Sequence, residues 1–342
     1  MANGKLDLCR KKFTIGHKFV NQGEKNEGFR LIKQAYRIAV KYNFTHMACE
    51  LSSKLHYYYT YYKPNIKTST FYANEVEKYI GIYSQEKRLE RFRYQVTIAN
   101  GGLEEKDFKK IIKSVNTLPG NSPNCIASKY IIHVLYSHRV RDYKAVSKKC
   151  AKAINELNDK EGVYRSYYHF FWVNLGVAQM AMGANTKADH AFTATEAYVH
   201  KKTANEYILK FYRAVNALHG GNYQKAYDLV AASKRCKFEN IREQFAIIEA
   251  YLCFLSRFGY LTLNKTFRIG KYLNETIKAQ SDKQGSNIAI LIAELLVYLT
   301  RDRAKFIDRV EAVNNYSYRH LSDRETRRAK QFIQLLCKIP RA

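Results

Sequence analysis

This sequence predicts an all-α protein, and three observations carry the prediction. Apolar residues recur at three- and four-residue spacing along nearly the whole chain, strand-like alternation is absent, and the 342 residues include only 4 prolines and 16 glycines. The spacing is that of one helix face, and so few turn-formers cannot punctuate the many short strands of a sandwich or barrel. With 46% apolar and 14% aromatic residues, the chain has enough buryable surface to offset the entropy of ordering it, which excludes a disordered basic tail. Its length fits two compact units or one elongated array of stacked helix pairs.

The breaks define about seventeen helices, most of about 13 to 20 residues, joined by short turns. The segment from Met1 to Cys9 lacks the apolar core of a secretory signal, and the first helix ends near Gly23. Phe29, Ile32, Ala35, Tyr36, Ala39 and Val40 then line one face of a second helix. Lys63-Pro64-Asn65 stops the tyrosine-rich helix that follows, because proline has no N–H and restricts the residue before it. Asn100-Gly101-Gly102 closes the next segment. Glu104, Glu105 and Asp107 come where a helix start favours negative charge, a simpler reading than a catalytic carboxylate pair. Pro119-Gly120-Asn121-Ser122-Pro123 is the best candidate for an internal boundary. Gly183 and His219-Gly220-Gly221-Asn222 separate later helices, and Lys283-Gln284-Gly285-Ser286 precedes the most apolar run, Ile288 to Leu299. That run is about half the ~20 residues of a membrane span and contains Glu294, so it reads as a buried helix. The last amphipathic helix is Arg324 to Cys337.

One segment carries an internal pattern. Trp172, Asn174, Leu175, Gly176, Ala178, Gly183, Ala188 and Phe192 fall at positions 4, 6, 7, 8, 10, 15, 20 and 24 of a tetratricopeptide repeat of about 34 residues. Gly176 and Ala188 are small enough for two helices to approach closely, while Trp172, Leu175 and Phe192 fill the space around them. A second copy follows at Gly221, Asn222, Tyr223 and Ala226, with Ala214 at position 8 and Lys210 at position 4. Weaker units read Tyr130, Val134, Asp142-Tyr143, Val146, Cys150, Ala153 and, earlier, Gly28, Ile32, Ala35. The chain therefore resembles bacterial tetratricopeptide-repeat-like proteins. The resemblance implies a TPR-like α-solenoid of antiparallel helix pairs forming a right-handed superhelix. Residues 1–118 would be degenerate N-terminal repeats and 124–342 TPR-like repeats with a C-terminal capping helix, or the whole would be one continuous solenoid. It also implies a concave face lined by Phe170, Val173, Val177, Met180 and Ala181 in the best unit and by Ile208, Phe211, Val215, Leu218 and His219 in the next. That face is apolar, unlike a carboxylate clamp. It would either bury itself in a tight winding, the more expected case, or receive a hydrophobic peptide helix. An uncapped end would favour self-association into a homo-oligomer.

Charge supplies the functional expectation. Lys and Arg number 58 against 30 Asp and Glu, a net charge of +28, and every successive block of sixty residues is basic. Such a field attracts polyanions and makes binding sensitive to salt. The densest cluster is Arg139, Arg141, Lys144, Lys148, Lys149 and Lys152. At helical spacing Arg141, Lys144, Lys148 and Lys152 share one stripe, which reads either as a solvated face or as a phosphate contact. The run His56-Tyr57-Tyr58-Tyr59-Thr60-Tyr61-Tyr62 could stack unpaired bases, although tyrosines spread all round a helix axis read first as core. No phosphate-binding glycine loop, nucleophile elbow or helical zinc pair occurs. The seven widely spaced cysteines contain no C-x-x-C pair, a pattern of reduced cytoplasmic thiols. The expectation is a cytoplasmic, non-enzymatic scaffold or regulatory adaptor without cofactor, metal or membrane span, whose partner is an acidic macromolecule, an acidic protein or a nucleic acid. The alternative is direct binding of RNA or single-stranded DNA.

Overall fold

The computed structural model describes residues 2–98, 103–263, 268, 272, 286–320 and 327–339. Among them are fifteen α-helices and no strand. The chain divides into two compact units, Met1–Tyr198 and Val199–Ala342. The first holds α1 (Ala2–Asn21), α2 (Lys25–Lys41), α3 (Thr45–Tyr61), α4 (Ile66–Ile98), α5 (Glu105–Thr117), α6 (Pro123–Arg139), α7 (Tyr143–Asn158), α8 (Arg165–Ala181) and α9 (Asn185–Glu196). The second holds α10 (Ala204–His219), α11 (Tyr223–Ala232), α12 (Glu239–Ser256), α13 (Ser286–Arg301), α14 (Arg303–His320) and α15 (Arg327–Leu336). Consecutive helices pack as neighbours in both units. The breaks expected at Asn100 to Gly102 and at Lys283 to Gly285, and the start of the last helix at Arg324, lie outside the described residues.

Five of the turns are built alike. After each helix one residue takes a left-handed conformation: Gly23 (φ 93°), Asn43 (54°), Arg141 (56°), Gly183 (75°) and Gly221 (75°). The next residue's N–H then donates back five positions, Glu24 to Phe19, Phe44 to Ala39, Asp142 to Ser137, Ala184 to Gln179 and Asn222 to Ala217, at 2.8 to 3.0 Å. This backbone loop satisfies an orphan carbonyl at the helix end, and the following helix starts at once. Asp142 and Asn222 also cap their helices by accepting from Ala145 N and Lys225 N.

At four of these turns two buried residues lie twelve positions apart, both of them glycine or alanine at three. Gly16 and Gly28, Val134 and Val146, Gly176 and Ala188, and Ala214 and Ala226 are buried pairs, each separated by twelve positions across one turn. A Cβ on Gly16 would stand 2.7 Å from the Gly28 carbonyl oxygen, and one on Gly28 2.7 Å from that of Gly16. Backbones this close leave no space for a side chain. Around Gly176, Phe192 is fully buried, while Trp172 and Leu175 are half-buried in the α6–α8 core. In the second unit Gly221 forms the turn, Tyr223 packs its ring 5.6 Å from Tyr260, and Ala226 is buried.

The structure corrects the expected helix lengths at α4, which runs for 33 residues. Nothing between Ile66 and Ile98 stops a helix, and Gly81 sits within it in open space. Its N-terminal half buries Tyr72 and Tyr79 with α2 and α3, and its C-terminal half buries Leu89 and Val96 with α5 and α6. Residues 119–122 form a turn inside the first unit, where Ser122 caps α6 by accepting from Cys125 N at 3.2 Å.

A contact distant in sequence closes the first unit. Asn43 Nδ2 donates to the Glu161 carbonyl at 3.0 Å, across 118 positions. Beside it Gly162, at φ 79°, lies so close to the Tyr42 carbonyl that an added Cβ would overlap it. The α2–α3 turn thereby meets the α7–α8 connection.

In the second unit the expected buried helix is α13, whose Leu295 and Val297 are fully buried. Its Glu294 is buried too and accepts from Arg309 Nε at 3.1 Å. Burial outweighs the arginine and raises the carboxyl pKa. A raised folded-state pKa means that above about pH 4.3, the ordinary glutamate value, the unfolded chain releases a proton that the folded chain retains. The second unit should therefore lose stability as pH rises from the ordinary value through the raised one. Urea midpoints across that window should fall less in Glu294→Gln than in the parent; parallel curves would refute this.

Candidate functional site

The basic cluster predicted around α7 is divided by the fold. Arg141 is not on the helix stripe, because the left-handed turn that starts α7 places it before the Asp142 cap. Arg139, the last residue of α6, holds its guanidinium 5.9 Å from the Phe108 ring centre. Lys149 turns inward and donates to Ser137 Oγ at 2.7 Å, and burial lowers its pKa against the pull of Asp142. Lys152 pairs at 3.6 Å with Glu156 on its own helix. Lys144 and Lys148 remain: both are exposed, four residues apart on α7, with no carboxylate in ion-pair contact among the described residues.

The tyrosine run also divides. Tyr58 is buried against Phe29 with ring centres 4.0 Å apart, and Tyr59 stacks on Tyr72 at 5.8 Å. Tyr57, Tyr61 and Tyr62 stay exposed and touch one another, with centres at 4.9 Å for Tyr57–Tyr61 and 5.6 Å for Tyr57–Tyr62. Lys25 Nζ stands 4.1 Å over the Tyr62 ring. The run thus contributes both core and an exposed aromatic patch.

The predicted concave positions are mostly packing residues. Phe170 and Val173 belong to the interior of α8, Phe170 meeting Phe171 edge-on at 5.4 Å. Val177 and Met180 are half-buried. Phe211 and Val215 pack into the α10–α12 core, and His219 is exposed at the end of α10. The two sets lie in different units.

A cavity of about 400 Å³ lies inside the first unit, lined by side chains from α1, α3, α4, α6 and α8. Glu86 lines it, and one carboxylate oxygen accepts from Thr45 Oγ1 at 3.0 Å, Ser122 Oγ at 2.6 Å and Asn124 Nδ2 at 3.3 Å. Glu90 accepts from Lys87 at 2.8 Å and from Tyr94 at 3.1 Å. Arg10 from α1 and Arg93 from α4 also line it, neither with a carboxylate in ion-pair contact among the described residues.

No family model, no curated protein and no solved structure matches the chain. The site therefore has to be read from its own chemistry. None of the seven cysteines forms a disulfide, and burial pushes the Cys9 and Cys150 thiols up to about 11 and about 12, which keeps them protonated core groups. Among the described residues no cluster of His, Cys, Asp and Glu could hold a metal, and no helix is long and apolar enough to cross a membrane.

In the sequence Lys87, Arg88, Arg91 and Arg93 form one basic run. The fold separates them: Lys87 and Arg93 line the cavity, while Arg88 lies over Phe92 at 6.0 Å. Arg10, Tyr164 and Tyr167 gave no local signal, because the turn closure at Gly162 brings α8 to α3 from far along the chain.

Proposed function

We propose that this chain is a tetratricopeptide-like, non-enzymatic scaffold or regulatory adaptor that binds an acidic macromolecular partner. The repeat reading is supported by the five turns of one design and, at three of them, by buried glycine or alanine pairs twelve positions apart. The partner reading rests on Lys144 and Lys148, exposed cations without a carboxylate in ion-pair contact among the described residues, on a chain of net charge +28. Lysines held by internal pairs have little left to offer a ligand, whereas these two keep theirs. The absence of disulfides fits a reducing compartment, and the cytoplasm is the location this reading assigns.

The second reading, binding of single-stranded nucleic acid, is favoured by the exposed Tyr57, Tyr61 and Tyr62 patch beside Lys25. Aromatic faces next to cations bind bases with about 1 to 3 kcal/mol per stacked base.

One titration separates the readings. Labelled polyglutamate, single-stranded RNA and single-stranded DNA are followed by fluorescence anisotropy from about 50 to 200 mM salt. The adaptor reading expects polyglutamate binding that persists near 150 mM and weakens about tenfold in Lys144→Glu/Lys148→Glu, with a shallower salt slope. Tighter binding of RNA that is lost in Tyr57→Ala/Tyr61→Ala would establish the second reading instead. Binding indifferent to the lysine pair would remove α7 from the interface.

A further inference from the structure

We propose that the cavity of the first unit is a binding site for a small phosphate monoester with a hydroxylated body, such as a nucleotide or a sugar phosphate. A volume of about 400 Å³ falls within the range of small-ligand pockets, roughly 300 to 1,000 Å³. The closure at Asn43 and Gly162 makes it a formed space by carrying the first turn of α8 to the first turn of α3.

The donors within it select the ligand. Two guanidiniums from separate helices, Arg10 and Arg93, face the cavity together with Lys87. The carboxylates present, Glu86 and Glu90, already accept from protein donors. Lys87 is the partner of Glu90, and Glu86 is held by neutral donors that leave its charge in place, so the lining keeps one net positive charge and two guanidiniums without an ion-pair partner among the described residues. A phosphate monoester carries about −1.5 to −2 at neutral pH and three acceptor oxygens, which matches two planar donor forks. A carboxylate offers only two acceptor oxygens to those forks. Both arginines line the same space as Tyr164 and Tyr167, at the start of α8. The first turns of α3 and α8 have no side-chain cap, so their N-terminal dipoles add positive potential without a competing cap. The remaining oxygen of Glu86 and the oxygens of Glu90 can accept from ligand hydroxyls, while Tyr83 and Tyr164 provide apolar walls.

The site is independent of Lys144 and Lys148, which do not line it. The test is calorimetric titration of the whole chain with AMP, ribose 5-phosphate, inorganic phosphate and propionate, repeated on Arg10→Met, Arg93→Met and Lys144→Glu/Lys148→Glu. The phosphate esters should bind more tightly than inorganic phosphate or propionate. Each arginine variant should weaken them about tenfold or more, and the lysine pair should leave them unchanged. Arg10 is exposed on α1, so Arg10→Met decides the matter even if Arg93→Met disturbs packing beside Tyr167. The proposal is overturned if neither ester binds at millimolar concentration, if propionate binds as well as they do, or if Arg10→Met binds them like the parent.

Discussion

Gly162→Ala should lower the stability of the first unit by about 2 to 5 kcal/mol, one of the largest effects of any small substitution in the chain. Two costs coincide there. The backbone is at φ 79°, where an L side chain is strained, and the new Cβ would overlap the Tyr42 carbonyl. That carbonyl belongs to the turn whose next residue, Asn43, donates to Glu161, so relief requires the two segments to part. Gly183→Ala is the control. It shares the positive φ, 75°, but nothing stands within 4 Å of its added Cβ, and it should cost only about 1 to 2 kcal/mol. Urea denaturation of both variants measures the difference. Equal losses would mean that the Tyr42 contact contributes nothing beyond backbone strain. If the cavity site binds as proposed, Gly162→Ala should also weaken AMP, because parting those segments widens the space between α3 and α8.

Gly176→Leu should destabilise the first unit by about 3 kcal/mol or more. A Cβ on Gly176 would stand 2.6 Å from Phe192 Cδ1, and the ring is fully buried and cannot swing aside. A double-mutant cycle makes the claim specific. Phe192→Ala alone should cost about 3 to 5 kcal/mol by opening a cavity. In that background Gly176→Leu should restore stability, since leucine fills the vacated space and favours helix more than glycine by nearly 1 kcal/mol. A leucine equally harmful in both backgrounds would show that the glycine serves something other than the approach of α8 and α9.

The all-helical class was legible because each helix buries a periodic face, and periodicity is local. Gly176 with Ala188 was legible for the same reason: both lie within one pair of helices, and bulky Trp172 and Phe192 mark them. Gly16 was missed as the partner of Gly28, although the same twelve-residue interval joins them, because no aromatic flags that pair. The basic stripe at α7 was misread where Arg141 leaves the helix. An arginine in a left-handed turn has no sequence mark comparable to a glycine, so spacing alone assigned it to the following helix. The cavity was illegible altogether. Arg10, Glu86 and Tyr164 are distant in sequence, and only the meeting of two turns sets them around one space.

That meeting also fixes how many helices can lie between the two turns. In an open array each pair touches only its neighbours, so a pair can be duplicated or lost and the remainder restacks. Between the Tyr42 turn and Gly162 the chain must cover a set displacement and rotation to return within contact. An added pair would carry α8 past Tyr42, and a deleted one would leave it short. From α3 to α7 the first unit is a closed count of helices, and that span cannot be lengthened by the copying that builds modular arrays.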